Sequence, residues 1–94
     1  MATFVMLGQY TTESVKHISA KRSVDAEALI KKHGGKVKEG YAMLGKNDIL
    51  LIVESKNVEN AMKISVGLSK LLDISFTTSP AVGMDDFDNL MKDV

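Results

Sequence analysis

The sequence predicts an α+β domain: a four-stranded antiparallel sheet with two helices, in the order β-α-β-β-α-β, followed by a short terminal helix. Three observations predict it. Two strand-length runs, Phe4-Val5-Met6-Leu7 and Ile49-Leu50-Leu51-Ile52-Val53, are apolar without interruption. Such runs read as strands buried on both faces. Between the strands lie two stretches whose apolar residues recur at helical spacing. A single layer of helices covers only one face of a sheet, so the other apolar face asks for a different cover. A second copy of the chain is the simplest candidate.

Taken in order, Thr3 to Tyr10 forms the first strand. Thr11 or Thr12 caps the helix that follows, and Glu13 suits its first turn. Val15, Ile18, Ala26, Leu29 and Ile30 form a stripe running towards His33, and Gly34-Gly35 ends the helix. The stripe is interrupted at Ser19-Ala20-Lys21-Arg22-Ser23, where continuing the period places Arg22 on the apolar face. Either the helix breaks near Ser23 and Arg22 lies in solvent, or Arg22 points into a cavity.

Lys36 to Leu44 is the second strand. Strict alternation puts Val37, Tyr41 and Met43 on one face and Lys38, Gly40, Ala42 and Leu44 on the other. Gly45 to Asp48 turns the chain into the third strand, Ile49 to Glu54. Asn57 starts the second helix with Glu59 just inside it, and its stripe is Ala61, Ile64 or Ser65, Leu68, and Leu71 or Leu72. Asp73 to Ser79 is the fourth strand, which Pro80 ends because it donates nothing to a ladder. Met84 to Asp93 is a terminal helix, with Phe87, Leu90 and Met91 at i, i+3, i+4 spacing. This order is that of the ferredoxin-like split βαβ motif. Its central strands are the first and third, the two whose runs are apolar on both faces.

Composition narrows the function classes. The chain has 94 residues, enough for one domain over 1–94, with 45% apolar and 26% charged residues. Twelve basic residues balance twelve acidic ones, giving a formal net charge of zero, so the basic footprint of a nucleic-acid binder is absent. With no cysteine there is no disulfide framework, thiol nucleophile or thiolate metal site, which fits a reducing cytoplasm. The start, Met1-Ala2-Thr3-Phe4-Val5-Met6-Leu7-Gly8, has no basic lead-in and reads as a strand, not a signal peptide. No run approaches the roughly 20 apolar residues of a membrane span.

Several patches together resemble the GYD domain family, small proteins of the dimeric α+β barrel class. They are Phe4 through Tyr10, Gly34-Gly35-Lys36, Tyr41 and Met43 before Gly45, and Asp48 followed by Ile49 to Glu54. Asp85-Asp86-Phe87 resembles the acidic, aromatic start of the family's last helix. Gly45 and Asp48 fit the naming motif, with Asn47 where the family has Tyr. Ser75-Phe76-Thr77 stands where the family often has a basic residue. The resemblance implies a dimeric barrel and no settled activity.

Four residues are candidates for a ligand site. Asp48, at the mouth of the sheet, could take a proton or accept from a substrate, although Gly45-Lys46-Asn47-Asp48 also reads as a turn closed by an Asx-type hydrogen bond. Arg22 could receive an anion through a bidentate contact. Tyr10 and Tyr41 could present hydroxyls to a pocket while their rings join the core. Met6, Met43 and Met62 could line an adaptable apolar cavity or simply fill the core. His17, beside the first helical stripe, could serve as a general base or haem ligand, but without carboxylates at ligand spacing it gives no metal site. His33, Lys31 and Lys32 suit the negative pole of a helix end. Lys31, Lys32, Lys36 and Lys38 lack the interleaved aromatics of an RNA-reading sheet and read as a solvated face. No nucleophile triad, phosphate loop or cofactor motif is present.

The first expectation is therefore a cytoplasmic homodimer that binds a small, partly apolar, anionic molecule between helices and sheet. Tyr10, Arg22, Tyr41 and Asp48 line that cavity, and no cofactor, metal, membrane or nucleic acid is involved. A second is a cofactor-independent monooxygenase or isomerase, with Asp48 or His17 as acid/base and Tyr41 orienting the substrate. A third is an assembly module whose sheet face serves only self-association.

Overall fold

The computed structural model describes residues 1–94. The chain runs β1 (Ala2–Tyr10), α1 (Thr12–Val15), α2 (Ala20–Lys32), β2 (Lys36–Ala42), β3 (Ile49–Ser55), α3 (Val58–Leu72), β4 (Ile74–Ala81) and α4 (Met84–Leu90), with a 3₁₀ turn at Met91–Asp93. The strands form one antiparallel sheet in the order β2-β3-β1-β4. The two strands with unbroken apolar runs are the central ones, as the sequence predicts.

Pairing of β1 with β3 sets the two faces. Met6 lies opposite Leu51 and Phe4 opposite Val53, while Val5 faces Ile52 and Leu7 faces Leu50 across the ladder. Directly opposed residues share a face. The first set meets the helices: Met6, Val53, Ile30, Ile64 and Leu68 are all almost fully buried and form one cluster. Val5, Leu7, Leu50 and Ile52 occupy the middle of the other face, rimmed by Thr3, Gln9 and Glu54 and by Ser75, Thr77 and Ser79 of β4. They remain partly exposed, with no helix over them.

The first predicted helix is two. Thr11 caps α1, accepting from the Ser14 amide at 2.9 Å, while the Ser14 hydroxyl accepts from the Thr11 amide at 2.8 Å. The chain then breaks over Lys16–Ser19, one turn earlier than the interruption in the stripe suggests. Ser19 restarts it by capping α2 through the Arg22 amide. At the far end Gly34 adopts φ 76°, its amide donates to the Lys31 carbonyl, and the Gly35 amide donates to Ile30. That pair of bonds is the Schellman arrangement, and it requires a residue tolerant of the left-handed region. In α3, Asn57 caps through the Asn60 amide at 2.8 Å, and Ala61, Ile64 and Leu68 are the buried stripe.

Two strands differ from expectation. In β2, Val37 opposes Val53, but Glu39 already opposes Ile52, so Lys38 is an extra, unpaired residue. This bulge inverts the alternation beyond it. Gly40 and Ala42 therefore share the helix face with Val37, while Tyr41 turns to the open face opposite Leu50. In β4 the ladder continues through Pro80 to Ala81. Only β1 flanks this edge strand, so a missing N–H on its outer side costs no ladder bond.

Helix α4 follows as expected and then leaves the body. Met84, Phe87, Leu90 and Met91 are all exposed, and the long axis of the molecule reaches 50 Å.

Leu68, with no exposed surface, sits at the centre of the cluster. Leu68→Ala is expected to lower the unfolding free energy by about 3 kcal/mol through lost transfer and a residual cavity, read by chemical denaturation.

Candidate functional site

A cleft of about 370 Å³ opens between α2 and the β2–β3–β1 end of the sheet. Three local features make it. The break before Ser19 lets α2 cross the sheet at a distance instead of continuing α1. The bulge at Lys38 turns the small residues Gly40 and Ala42, not the Tyr41 ring, towards α2. Gly8 lets the Phe76 ring lie directly on the β1 backbone, since a Cβ there would come within 2.8 Å of Phe76 Cε1. The wall is mostly apolar: Ala26 and Ile30 from α2, Ile49, Leu51, Ile74 and Phe76 from the sheet, and Leu72 from the end of α3. Ser19, Ser23, Arg22, Glu27 and Tyr10 supply its polar groups.

Arg22 is half-buried and borders the cleft. Both alternatives read from the sequence are realised in part: the helix breaks, though earlier, and the guanidinium turns inward. Its Nη1 donates to the Ser14 carbonyl at 2.6 Å and its Nη2 to the Leu72 carbonyl at 2.8 Å. The second bond satisfies a carbonyl at the C-terminal end of α3 that has no helical partner. A guanidinium carries five N–H groups, so donors remain for an anion in the cleft. Around the same corner, Thr11 Oγ1 bonds the Asp73 carbonyl and carboxylate. Asp73 itself sits in the left-handed region at φ 55°.

Tyr10 pairs with Ile74 on the helix face, and its hydroxyl makes no hydrogen bond within the protein. Tyr41 touches the cleft only where β2 edges it. Its side chain is on the opposite face, 55% exposed, with its hydroxyl donating to Glu39 Oε2. That hydrogen bond, together with the nearby Glu39 charge, raises the Tyr41 pKa above the ordinary tyrosine value.

Asp48 does not line the cleft. Its Oδ2 accepts from the Tyr10 amide at 2.8 Å, its amide donates to the Gly8 carbonyl, and its carbonyl accepts from the Met43 amide, the last two also at 2.8 Å. The turn reading of Asp48 anticipates a local Asx bond. The carboxylate instead reaches across to β1, where it holds the frayed end of the β1–β3 pairing. Gln9 Nε2 adds a bond to the Lys46 carbonyl of the same turn. His17 is exposed beside Glu13, 3.4 Å away, and takes no part in the cleft. His33 caps the end of α2.

Of the four residues expected at the site, the structure thus brings Tyr10 and Arg22 to the cleft, leaves Tyr41 at its edge and sets Asp48 behind it. Sequence reasoning missed Ser23, Ala26, Gly40 and Phe76. For Ser23 and Ala26 the visible signal was small residues on α2, and for Gly40 a glycine inside a strand; Phe76 carried no such signal.

A split βαβ sheet with one helical layer, an uncovered apolar face and a ligand-sized cleft defines a small α+β domain of the ferredoxin-like class. The chain belongs to the GYD domain family, whose pattern matches residues 4–91. Its fold is similar to that in the crystal structure of FFRP-DM1, at 20% identity over 87% of this chain and 100% of that one, with a TM-score of 0.61. It is also similar to the leucine response regulatory protein (LrpA) of Mycobacterium tuberculosis, at 8% identity and a TM-score of 0.59, covering 88% of this chain and 51% of that regulator. At these identities the likeness is one of fold. No curated protein matches the chain.

Asp48→Ala is expected to cost about 1.5–3 kcal/mol in denaturant unfolding, since it removes a charge-assisted bond from a strand end. In a Tyr10→Phe background, the remaining phenol should ionise above the usual tyrosine range by tyrosinate absorbance, and Glu39→Gln should lower that midpoint. Because the folded pKa is raised, the stabilisation from the Tyr41–Glu39 pair is present below about pH 10 and is lost as the phenol ionises above it.

Proposed function

We propose that the protein is a cytoplasmic homo-oligomer that holds a small molecule, apolar over most of its surface and anionic at one end, in the cleft between α2 and the sheet. The observation that carries this reading is the cleft itself. Its volume of about 370 Å³ falls within the range of small-ligand sites, about 300–1,000 Å³. Its apolar wall suits a hydrocarbon body, and the Tyr10 hydroxyl and the free donors of Arg22 suit a carboxylate or similar head. The name of one fold relative, a leucine response regulatory protein, is in keeping with a ligand of that chemistry.

Binding is favoured over catalysis. The two groups expected to serve as acid or base, Asp48 and His17, both lie outside the cleft, one spent on the β1 backbone and the other in solvent beside Glu13. Self-association is supported by the open sheet face. Val5, Leu7, Leu50 and Ile52 make a contiguous apolar centre with a polar rim, the anatomy of a surface that another copy covers. Two sheets packed face to face across a two-fold axis bury this centre without exposing a new edge.

Anilinonaphthalene sulfonate has the required chemistry, an apolar body with an anionic head. The protein is expected to bind it saturably, with one site per chain, and Ser23→Phe, an exposed change at the cleft mouth, should abolish that site. Ile52→Asp should lower the assembly mass in native mass spectrometry by breaking the sheet-face contact, while dye binding persists. Unchanged dye binding in Ser23→Phe would place the ligand elsewhere, and unchanged mass in Ile52→Asp would remove the sheet-face dimer.

A further inference from the structure

Helix α4 is amphipathic but has nothing to pack on. At about 100° per residue, Met84, Phe87, Leu90 and Met91 fall in one arc about 120° wide, flanked by Asp86 on one side and Asp88 on the other. All four apolar residues are exposed, and the helix makes no substantial contact with the sheet or with α2 and α3. None of Asp85, Asp86, Asp88 and Asp93 forms an ion pair.

The outer surface of α3 has the complementary pattern. Met62 and Val66, a helical turn apart, are 61% and 60% exposed and form the floor of a shallow groove. Lys63, Lys70 and His33 border it, and neither lysine has a carboxylate partner within the chain. The one carboxylate on this stripe, Glu59, lies beyond Met62 at the start of α3.

We propose that α4 is an assembly arm that docks in the Met62–Val66 groove of a second copy of this chain. Phe87 covers Val66 and Met91 covers Met62, so Asp85 and Asp86 at the start of α4 lie towards Lys70, and Asp88, further along, comes towards Lys63. With α4 antiparallel to α3, Lys92 comes to the Glu59 end, so both charge signs are matched along the contact. The groove faces away from the open sheet surface, so this contact is separate from a sheet-to-sheet dimer and does not depend on the cleft reading. It joins two different surfaces, so it either closes as a dimer by reciprocal exchange of arms or continues into larger rings or chains. Its ionic part weakens as salt screens the exposed charges.

The test is sedimentation of the full-length protein at low salt. The wild type should form a species larger than Phe87→Asp, and larger than the double variant Lys63→Glu/Lys70→Glu. Because every changed side chain is exposed, folding should be retained, which circular dichroism checks. Mixing the arm variant with the groove variant should restore a heterocomplex, since one supplies an intact groove and the other an intact arm. Adding Asp85→Lys/Asp86→Lys to the groove variant should restore self-assembly in a single chain. An unchanged mass in Phe87→Asp overturns the proposal. So does a mass that falls with the arm variant but not with the groove variant, which would put the arm on another surface. Absence of a heterocomplex on mixing also overturns it, because the intact arm of one variant would then not bind the intact groove of the other.

Discussion

The antiparallel pairing of β1 with β3 is the constraint on which the molecule rests. It brings two runs of large apolar residues together in register, so that every second residue of both strands must find cover on the same side. On one side Ile30, Ile64 and Leu68 provide it against Met6 and Val53, and this small cluster is the core. The other side is just as apolar at its centre and has no intramolecular cover. The fold and the expectation of self-association thus have one origin: strands apolar on both faces in a chain with only one helical layer.

The cleft lies where that layer is made to stand off. Arg22 shows how the gap is held open without loss of order. It carries no acidic partner, yet it joins the end of α1 to the end of α3 through two backbone carbonyls. A long cationic side chain thus replaces apolar packing at the corner where α1, α2 and α3 meet. The apolar wall below it is left accessible. The bulge at Lys38 contributes from the sheet side by presenting Gly40 and Ala42 instead of an aromatic ring.

Charge is distributed with similar economy. The chain is neutral as a whole, but the terminal helix is acidic and the outer face of α3 with the end of α2 is basic. Only two close ion pairs form between fixed charges, Lys16–Glu13 and Lys21–Asp25, both between neighbours on exposed helical segments near α1 and the start of α2. Most of the charge is therefore free to act between molecules, where complementary patches guide association more than they stabilise the fold.

Much of the architecture was legible in the sequence because it follows from local patterning. Element order, the central position of β1 and β3, the Gly34 helix end, the Asn57 cap and the terminal helix all come from periodicity and cap chemistry acting over a few residues. The candidate site was legible only in part. Arg22 was found because it interrupts an apolar stripe, and Tyr10 because a strand tyrosine can set its ring in the core and its hydroxyl in a pocket. Tyr41 was placed on the wrong face because one unpaired residue, Lys38, inverts the alternation. Asp48 looked like a local turn residue because its partner, the Tyr10 amide, is far away in sequence and adjacent only once β1 and β3 have paired. The family and the sheet were determined by the sequence itself. The cleft, the role of Arg22 and the face of each edge residue were decided by tertiary structure, because they depend on register and on bonds between distant backbone groups, which short-range patterns do not encode.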